Sequence, residues 1–409
     1  MKILIVSQYF RPENVSIPVD IAEALVSQGH SVRVLTGYPN YPAGKLFPGY
    51  RQQWRQFSHD EGIDVCRVPL FVNHSQHALK RMMNYLSFAL TSTSARSFAR
   101  DADAIYVYAT QMTPALGPWL WRMIGGAPYL LHVVDLWPDS VVGSSITGGP
   151  RKAQVVEKIL SLWIARVYKR ASMVVGISPT MVRTLVSRGV DPQRAELVYN
   201  WADNFPISRT APEPKPPING GIDVVYAGNV GEMQNLEVAI RAAARAADCG
   251  VRLTIVGDGI AKSGLVQLAR ELGVSNVRFQ DPVPRSQMPQ IYAQADFGLV
   301  SLKDLQVFRG TIPSKFPSVL AHGIPAITTV QGDVRAMNEM HGLGISADAE
   351  SVEDLERAFR EAADLDVEER KLMGDRVRKF AESLFTKSFA ISNIESLLIR
   401  IAEERHIEK

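Results

Sequence analysis

The chain has 409 residues, of which 46% are hydrophobic and 21% charged, a balance typical of a soluble globular protein. This length is large for a single core and indicates two domains of roughly 200 residues each. No run of about 18 apolar residues occurs, only two cysteines are present, and the histidines lack metal-ligand spacing, which excludes a membrane-spanning protein, a disulfide scaffold and a zinc protein.

The first half alternates predicted strands and helices in the pattern of a doubly wound parallel sheet. It opens with the strand KILIVSQ, a loop, a helix with Pro18 suited to its first position, Gly29 as its stop, and the strand SVRVLTG. Further strands are predicted at IDVCRV, AIYVYA, YLLHVV, MVVGIS and AELVY. We therefore predict a Rossmann-like domain over residues 1–203. Because no signal sequence, with a basic stretch followed by an apolar one, precedes the first strand, we expect a cytoplasmic protein.

The stretch from Asn204 to Gly220, rich in Pro, Asn and Gly, is predicted to be an interdomain linker. The alternation then restarts with the strands IDVVYAG, VRLTIVGDG, VRFQD, FGLVSL and PAITT, the last of which is expected to complete the sheet. This pattern predicts a second Rossmann-like domain over residues 221–385. The segment 386–409 is predicted to be a helix whose apolar residues pack on another part of the protein.

The stretch FRGTIPSKFP predicts an anion site. Pro317 lacks an N–H and suits only the first turn of a helix, so the helix is expected to start at Lys315, with the Ser314 hydroxyl as its cap and Gly323 at its end. A helix N-terminus flanked by Arg309 and Lys315 offers free amides, a positive dipole end and two cations. We interpret it as a diphosphate cradle, and the alternative is a solvated loop with two ordinary surface cations.

Other loops that follow strands of the second half carry glycine and polar side chains to the same sheet edge. Parallel sheets bind ligands beyond the carboxyl ends of their strands, and glycine allows close backbone approach to a phosphate. Together with the cradle, these loops predict a nucleotide diphosphate site. The residues that follow strands there are Gly228, Asn229, Gln234, Gly257 and Asp258.

In the first half, the motif HVVDLWPDS follows a buried strand. His132 alternates with apolar residues and is interpreted as a satisfied core histidine, whereas Asp135 ends the strand and could accept a sugar hydroxyl or hold a proton. Trp137 lies beside it at the predicted mouth of the site. Asn14 and Ser16, in the loop after the first strand, are predicted to donate hydrogen bonds to a ligand on the side opposite the diphosphate. The alternative is that this loop is an ordinary connection between a strand and a helix.

These motifs, in this order, resemble the family 4 retaining glycosyltransferases, which have two domains and the GT-B fold. The resemblance covers nearly the whole chain, and it looks closest to the branch that builds bacterial capsule, O-antigen and exopolysaccharide, such as N-acetylfucosamine transferases. The motifs are KILIVSQYFRPE, HVVDLWPDS, VVGISPTM, VYNWAD, VVYAGNVGEMQNLE, LTIVGDG, VRFQDPVPRSQMP, FRGTIPSK and AHGIPAI.

The resemblance implies that the second half binds a UDP-sugar and the first half a polyprenyl-diphosphate-linked acceptor. Arg309 and Lys315 would contact the diphosphate, the backbone near Val283 would meet the uracil, and the last helix would cross back to the N-terminal domain. Such enzymes need no metal ion or other cofactor. No enzymic nucleophile is agreed for them, and the leaving phosphate would assist deprotonation of the acceptor hydroxyl.

Two features depart from the family pattern. The loop GNVGEMQN lacks the cations common elsewhere, so the phosphate charge falls on Arg309 and Lys315. The usual pair of glutamates is replaced by Gly310 and Ser318. A serine offers the ribose one neutral hydrogen bond where a glutamate would offer charged ones, which predicts a loosely held ribose. The alternative is that another carboxylate, Asp304, replaces the glutamate.

Two other functions stay open: a nucleotide-sugar 2-epimerase, which would need no acceptor, and a nucleotide-sugar-binding protein without transfer activity. The absence of G-x-G-x-x-G after the first strand is evidence against a nicotinamide dehydrogenase. Asp101-Ala-Asp103 resembles the metal-binding motif of a different sugar-transferase fold, but it precedes its strand and is expected at the wrong edge of the sheet.

The charge distribution predicts a membrane partner and no nucleic acid. Residues 1–200 hold 21 Lys and Arg against 13 Asp and Glu, a net +8, and the remaining 24 against 29 give −5. Val65 to Arg100 contains cations but no carboxylate, with apolar residues between the cations. This segment predicts peripheral contact with an anionic membrane, at the inner face of the cell membrane, and the alternative is a core helix with a few surface cations.

Overall fold

The computed structural model describes residues 1–73, 78–137, 150–201 and 221–407. The chain divides into two compact units, and each is built on one sheet of mostly parallel strands. The first unit comprises Met1–Ile177, Met181–Val198 and the chain from Ile391 onward, and the second comprises Ser178–Thr180 and Tyr199–Ala390. The predicted linker, Asn204 to Gly220, lies outside the described residues.

The sheet of the first unit has eight strands in the order β3-β4-β2-β1-β5-β6-β7-β8. They are β1 (Lys2–Val6), β2 (Ser31–Gly37), β3 (Gln56–Asp60), β4 (Ile63–Val68), β5 (Ala104–Ala109), β6 (Tyr129–Val133), β7 (Met173–Gly176) and β8 (Ala195–Leu197). All neighbours are parallel except β3 and β4. The edge strand β3 was not predicted, because four of its five residues are exposed and it has no apolar alternation.

Six helices connect these strands within the described part of the chain. They are α1 (Ser16–Ser27), α2 (Ala78–Thr93), α3 (Arg96–Ala99), α4 (Leu116–Met123), α5 (Pro150–Arg170) and α6 (Pro179–Ser187). The helix α1 begins two residues earlier than predicted, so Pro18 occupies its third position. Proline is tolerated there because the amides of the first turn have no partner inside the helix.

The sheet of the second unit has six parallel strands in the order β11-β10-β9-β12-β13-β14. They are β9 (Asp223–Ala227), β10 (Arg252–Val256), β11 (Val277–Gln280), β12 (Phe297–Val300), β13 (Ala326–Thr328) and β14 (Gly344–Ser346). The expectation that the PAITT strand completes the sheet was wrong, since β14 adds a further edge. Its three residues, one of them glycine, are too short to show a strand period.

The helices of the second half pack into two apolar clusters, except for the last one. They are α7 (Leu236–Arg245), α8 (Lys262–Glu271), α9 (Met288–Tyr292), α10 (Gln306–Arg309), α11 (Lys315–Ala321), α12 (Asp333–His341), α13 (Val352–Asp364), α14 (Val367–Leu384) and α15 (Lys387–Ile407). None of the helices described for this chain has both the length and the apolar character needed to cross a bilayer.

From Ile391 onward, α15 is part of the first unit. Its buried face includes Ile394 and Leu398, both fully inaccessible to solvent. At its polar margin, Glu395 lies 2.8 Å from His30 Nε2, and the Arg405 guanidinium donates to the Ala102 carbonyl at 2.9 Å. The apolar spacing of the last segment is therefore explained by burial against the first sheet unit.

Candidate functional site

Two glycine loops lie against each other at the carboxyl ends of β9 and β10. Gly228 and Gly257 have φ angles of +134° and +147°. A Cβ on Gly257 would lie 1.9 Å from the Gly228 carbonyl oxygen, and one on Gly259 would lie 2.4 Å from the Val230 oxygen. The Val230 amide donates to the Asp258 carbonyl at 2.8 Å. Only glycine permits this approach, so the two loops form a continuous backbone floor.

The predicted residues Asn229 and Gln234 hold the first loop in shape. The Gln234 Oε1 accepts from the Gly231 amide at 3.0 Å and from Asn229 Nδ2 at 3.2 Å. The Tyr226 hydroxyl donates to the Asn229 carbonyl. Asp258 is exposed, and its carboxylate accepts from the Gly259 amide at 2.8 Å. These contacts give the loop a defined form before any ligand is bound.

Lys315, the first residue of α11, extends over this floor. A Cβ on Gly228 would lie 2.7 Å from Lys315 Cε and 2.9 Å from its Nζ. The Nζ atom is 4.8 Å from the centre of the Tyr226 ring, a cation–π distance. Among the described residues, no carboxylate forms an ion pair with Lys315, and burial lowers its pKa. A partly buried ammonium without a carboxylate partner, facing a glycine floor, is suited to bind an anion.

Arg309, the second predicted cation, is 57% exposed and forms a bidentate ion pair with Asp304. Its Nε donates to Oδ1 at 2.8 Å and its Nη2 to Oδ2 at 2.6 Å, and this pairing lowers the pKa of Asp304. Both carboxylate oxygens are thus occupied, which disfavours Asp304 as the substitute for the missing glutamate. The two Nη1 hydrogens and the second Nη2 hydrogen take no part in this ion pair and can face an anion.

The helix α11 begins at Lys315, as predicted, and Gly323 follows its end with a φ of +71°. The predicted Ser314 cap was wrong. Ser314 has helical angles of φ −55° and ψ −21° and makes no side-chain capping bond, whereas a capping residue is normally extended. The Ser318 side chain is half-buried. Val283 is half-buried against the same cluster.

Gly310, at one of the two missing glutamate positions, contacts the segment Ser178–Thr180 of the second unit. The Ser178 hydroxyl donates to the Gly310 carbonyl at 2.6 Å, and a Cβ on Gly310 would lie 2.8 Å from Thr180 Cγ2. Thr180 is itself held by Asp333, which accepts from its amide at 2.8 Å and from its hydroxyl at 2.7 Å. A glutamate at position 310 would have to displace Thr180.

In the first unit, Asp135 follows β6 and its side chain is exposed, yet the protein around its carboxyl excludes enough water to raise its pKa. Asn14 and Ser16 are also exposed, at the start of α1. Trp137 is only 3% exposed and packs in the core, 6.1 Å from the Tyr85 ring, so little of its surface can meet a ligand. Residues 138–140 of the motif lie outside the described residues.

His132 is fully buried, as predicted for a core histidine. Its Nδ1 shares a hydrogen bond with the Tyr106 hydroxyl at 2.6 Å, and burial lowers its pKa to about 4, so the ring is neutral at physiological pH. The Nε2 atom has no hydrogen-bond partner among the described residues. The prediction of a satisfied core histidine therefore holds for only one of the two ring nitrogens.

A buried amide network at the carboxyl ends of β1, β2 and β5 was missed. Gln8 donates to Asn84 at 2.6 Å and accepts from Gln111 at 2.7 Å, and Asn84 is 3.5 Å from Asn40. Gln8 and Gln111 each follow a buried strand, so the rule used for Asp135 could have found them. Through Gln8, the network holds the loop after β1, from which Asn14 and Ser16 project.

Glu13 holds the same loop in place through hydrogen bonds to backbone amides. It is 4% exposed, and its carboxylate accepts from the amides of Asn40 and Tyr41 at 2.8 Å each and of Phe10 at 3.2 Å. Burial raises its pKa, while the three amide donors act in the opposite direction. Glu13 therefore has a positioning role next to Asn14 rather than a free carboxylate.

Within the described ranges, no group of three or more His, Cys, Asp and Glu side chains lies close enough to hold a metal ion. The Asp101-Ala-Asp103 motif lies at the amino end of β1, where Asp101 pairs with Arg33 at 2.8 Å and Asp103 accepts from the Lys2 amide at 2.8 Å. These carboxylates are used in ion pairing and hydrogen bonding at the edge opposite to the candidate site.

Two family models match the chain in succession. Residues 18–201 match the glycosyl transferase 4-like domain, and residues 209–380 match the glycosyl transferases group 1. A relative from Escherichia coli strain K12, the putative colanic acid biosynthesis glycosyl transferase WcaI, is 28% identical over 386 residues, covering 88% of this chain and 92% of the relative.

Solved structures share the fold at low identity. Anabaena Alr3699/HepE, in complex with UDP and glucose, superposes with a TM-score of 0.63 at 15% identity, covering 98% of this chain and 100% of that one. The sucrose-phosphate synthase of Thermosynechococcus elongatus superposes with a TM-score of 0.68 at 15% identity, covering 98% of both chains. Both are similar to this chain in fold, and neither identity is high enough to transfer a substrate.

Proposed function

Because the chain is a glycosyltransferase of the GT-B fold and the family 4 type, we propose that it acts with retention and uses a UDP-sugar donor. The acceptor is a polyprenyl-diphosphate-linked sugar in bacterial surface polysaccharide synthesis. The observation that carries the proposal is the Lys315 ammonium, which has no carboxylate partner among the described residues and lies above the Gly228 and Gly257 floor. The WcaI relative, named for colanic acid biosynthesis, supports the polysaccharide, and the UDP bound to HepE supports the nucleotide.

In this proposal the donor lies on the loops of the second unit. The diphosphate rests on the glycine floor, with Lys315 on one side and the Nη1 of Arg309 on the other. The uracil lies near the Val283 backbone and the ribose near Ser318. As the bond to the sugar breaks, negative charge grows on the departing UDP, and fixed cations and amide groups stabilise that charge.

The acceptor lies at the carboxyl edge of the first sheet. Asn14 and Ser16 offer polar side chains there, and Asp135 accepts a hydrogen bond from a sugar hydroxyl. The proton of the attacking hydroxyl passes to the leaving phosphate, so the mechanism needs no metal and no enzymic nucleophile. The raised pKa of Asp135 makes this carboxyl a weaker acid than an ordinary aspartate, which fits a hydrogen-bonding role toward the acceptor.

The test is incubation of the purified protein with a UDP-sugar, with and without a polyprenyl-diphosphate-linked sugar. We expect UDP release only when acceptor is present, and a product whose new bond keeps the configuration of the donor in the NMR spectrum. Conversion of the UDP-sugar alone would instead establish the epimerase. Binding of UDP-sugars without turnover on any acceptor would establish the binding protein.

Ser318→Ala is expected to weaken UDP binding by about 0.5–1.5 kcal/mol, because a serine hydroxyl offers the ribose one neutral hydrogen bond. Arg309→Ala should weaken UDP binding more strongly than Ser318→Ala, because a hydrogen bond to a charged group is stronger than a neutral one. Asp304→Ala should cost less than Arg309→Ala, since Asp304 orients the guanidinium. Calorimetric titration of UDP measures all three, and a large loss at Ser318 would contradict the loosely held ribose.

The lipid-borne acceptor also leads us to propose peripheral contact with an anionic membrane on its cytoplasmic side. The predicted segment contains α2, which divides into two faces: Phe88 is fully buried, whereas Met83, Leu86 and Leu90 are 46%, 47% and 65% exposed. These three side chains follow helical spacing on one side of α2. They supply an apolar face for such a contact. Among the cations of the same segment, Arg67 is buried, whereas Lys80, Arg96 and Arg100 are exposed.

A further inference from the structure

A chain of side-chain hydrogen bonds runs through the buried amide network of the first unit. It starts at Thr110, whose hydroxyl donates to Gln111 Oε1. Gln111 Nε2 donates to Gln8 Oε1 at 2.7 Å, and Gln8 Nε2 donates to Asn84 Oδ1 at 2.6 Å. Asn84 Nδ2 in turn donates to the Phe71 carbonyl at 2.7 Å. The three amide side chains are at most 3% exposed, whereas Thr110 is half-buried, so the Thr110 end is the accessible one.

The Phe71 carbonyl fixes the direction of this chain. A carbonyl oxygen can only accept a hydrogen bond, so Asn84 must present its nitrogen to Phe71 and its oxygen to Gln8. Gln8 therefore presents its nitrogen to Asn84 and its oxygen to Gln111. The oxygen of Gln111 is left to face Thr110. Each amide thus has one allowed orientation, and the Thr110 hydroxyl has to be the donor.

The Thr110 oxygen can consequently serve a ligand only as a hydrogen-bond acceptor. A hydroxyl has one proton, and this one is committed to Gln111. Turning it toward a ligand would leave Gln111 Oε1 buried without a donor, and the hydrogen bonds of such a chain reinforce one another. Among the described residues, none donates to the Thr110 oxygen. Its lone pairs are available to a donor group of a bound molecule.

Thr110 lies at the sheet edge to which the acceptor is assigned. It directly follows β5, and Asp135 follows the neighbouring strand β6. The two strands pair in parallel with Ala109 opposite Val133, and the Val134 amide extends the pairing by donating to the Ala109 carbonyl at 3.0 Å. An ionised carboxylate also accepts hydrogen bonds and donates none. Two neighbouring strands therefore end in groups that require a ligand with donors.

We propose that Thr110 is a specificity-determining residue whose oxygen accepts a hydrogen bond from the acceptor sugar. The partner is a hydroxyl or amide N–H beside the attacking hydroxyl, because the proton of the attacking hydroxyl passes to the leaving phosphate. A sugar with fluorine or hydrogen at that position cannot donate, and a site built to bind a donor group rejects such an analogue. The inference deepens the proposed function and rests on it.

The first test is steady-state transfer to farnesyl-diphosphate-linked glucose, galactose and N-acetylglucosamine. Thr110→Val keeps the shape of the side chain but lacks the oxygen. We expect its kcat/KM for the accepted sugar to fall about twofold to tenfold through a higher acceptor KM, while UDP affinity stays that of the wild type. Thr110→Ser retains the hydroxyl and should restore kcat/KM. A purely structural role would lower the thermal midpoint of unfolding without separating acceptor from donor kinetics.

Deoxyfluoro analogues of the accepted sugar, with each hydroxyl replaced in turn, test the direction of the chain. The wild type should discriminate against the analogue fluorinated at the contacted position, and Thr110→Val should not. Gln111→Met releases the Thr110 proton, so the discrimination should shrink in that variant as well. Equal discrimination by the wild type and Thr110→Val at every position would overturn the proposal.

Thr113→Val is the matched control. Thr113 lies three residues further along the same connection, is 3% exposed, and its hydroxyl has no hydrogen-bond partner within the described ranges. This variant should use the acceptor like the wild type. An equal loss in Thr113→Val and Thr110→Val would show that the whole connection is disturbed, which contradicts a specific contact of Thr110.

Saturation-transfer NMR with the three free sugars separates this inference from the proposed function. It detects sugar contact without transfer, and we expect weaker saturation of the sugar in Thr110→Val than in the wild type. If the wild type shows this difference but transfers to no acceptor, the contact stands and the transfer proposal fails. Equal saturation and equal acceptor kinetics in the two proteins would overturn the contact alone. Absence of both transfer and saturation in the wild type would overturn both, and UDP titration of every variant reports correct folding.

Discussion

Lys315→Ala is expected to lower the rate of sugar transfer by about 10²–10³-fold, the usual effect of removing one group that stabilises developing negative charge. The described residues hold no second lysine over the glycine floor, and the neighbouring loop has no cation to replace it. Arg309→Ala should act in the same direction. Steady-state rates with saturating UDP-sugar measure both effects, and near-wild-type turnover in both variants would contradict the site assignment. Lys371→Ala, an exposed lysine of α14, is the control.

The ionisation of Lys315 provides an independent readout of the same contact. Burial lowers its pKa, so with rising pH it loses its proton before an exposed lysine does. UDP affinity should therefore fall as pH rises through that lowered pKa. In the same range, bound diphosphate favours the ammonium, so binding should take up a proton. Calorimetry in two buffers of different ionisation enthalpy detects this uptake, and the Lys315→Ala variant should lack it.

Gly257→Ala is expected to lower the free energy of unfolding by about 3 kcal/mol or more, the upper range for a strained backbone position. The added Cβ would lie 1.9 Å from the carbonyl oxygen of Gly228, at a φ of +147° that other residues rarely adopt. Backbone atoms form the obstacle, so a change of side-chain rotamer cannot relieve the contact. The thermal midpoint of unfolding, followed by circular dichroism, measures the effect.

Gly264→Ala is the matched control for this substitution. Gly264 lies in α8, and an added Cβ would meet no atom within 4 Å. Alanine in a helix is favoured over glycine by up to about 1 kcal/mol, so this variant should be as stable as the wild type or slightly more stable. If both alanine variants unfold at the wild-type temperature, the interlocked floor is not a rigid part of the site.

The alternation of buried strands and helices was predictable because both of its signals are local. Runs such as AIYVYA are apolar along their whole length, and β5 is buried at every residue. Pro317 placed the start of α11 within one turn, because proline suits only the first turn of a helix. The strands β3 and β14 were not predictable, since one is an exposed edge and the other has three residues. Neither strand has a pattern of its own: β3 forms by pairing with β4, and β14 forms by pairing with β13.

For the site, the sequence predicted which loops matter but not how their side chains pair. The positions of Gly228 and Lys315 followed from the strand ends, and the structure places their atoms in contact. The ion pair of Arg309 with Asp304 depends on side-chain directions that tertiary packing decides. The glycine at position 310 is explained only by tertiary structure, because Thr180 occupies the space that a glutamate side chain would need there.

The membership of α15 in the first unit has a consequence for biosynthesis. A ribosome delivers the residues from Ile391 onward only after the whole second unit has been made. Until then, the surface that receives Ile394 and Leu398 stays open on the nascent first unit. Domains generally fold as units during synthesis, with the N-terminal domain first. The first unit of this chain cannot be completed until its last helix, α15, has been synthesised. A separately expressed first half should therefore need residues 391–409 fused to it, or supplied as a peptide, to become as stable as the same unit in the intact chain.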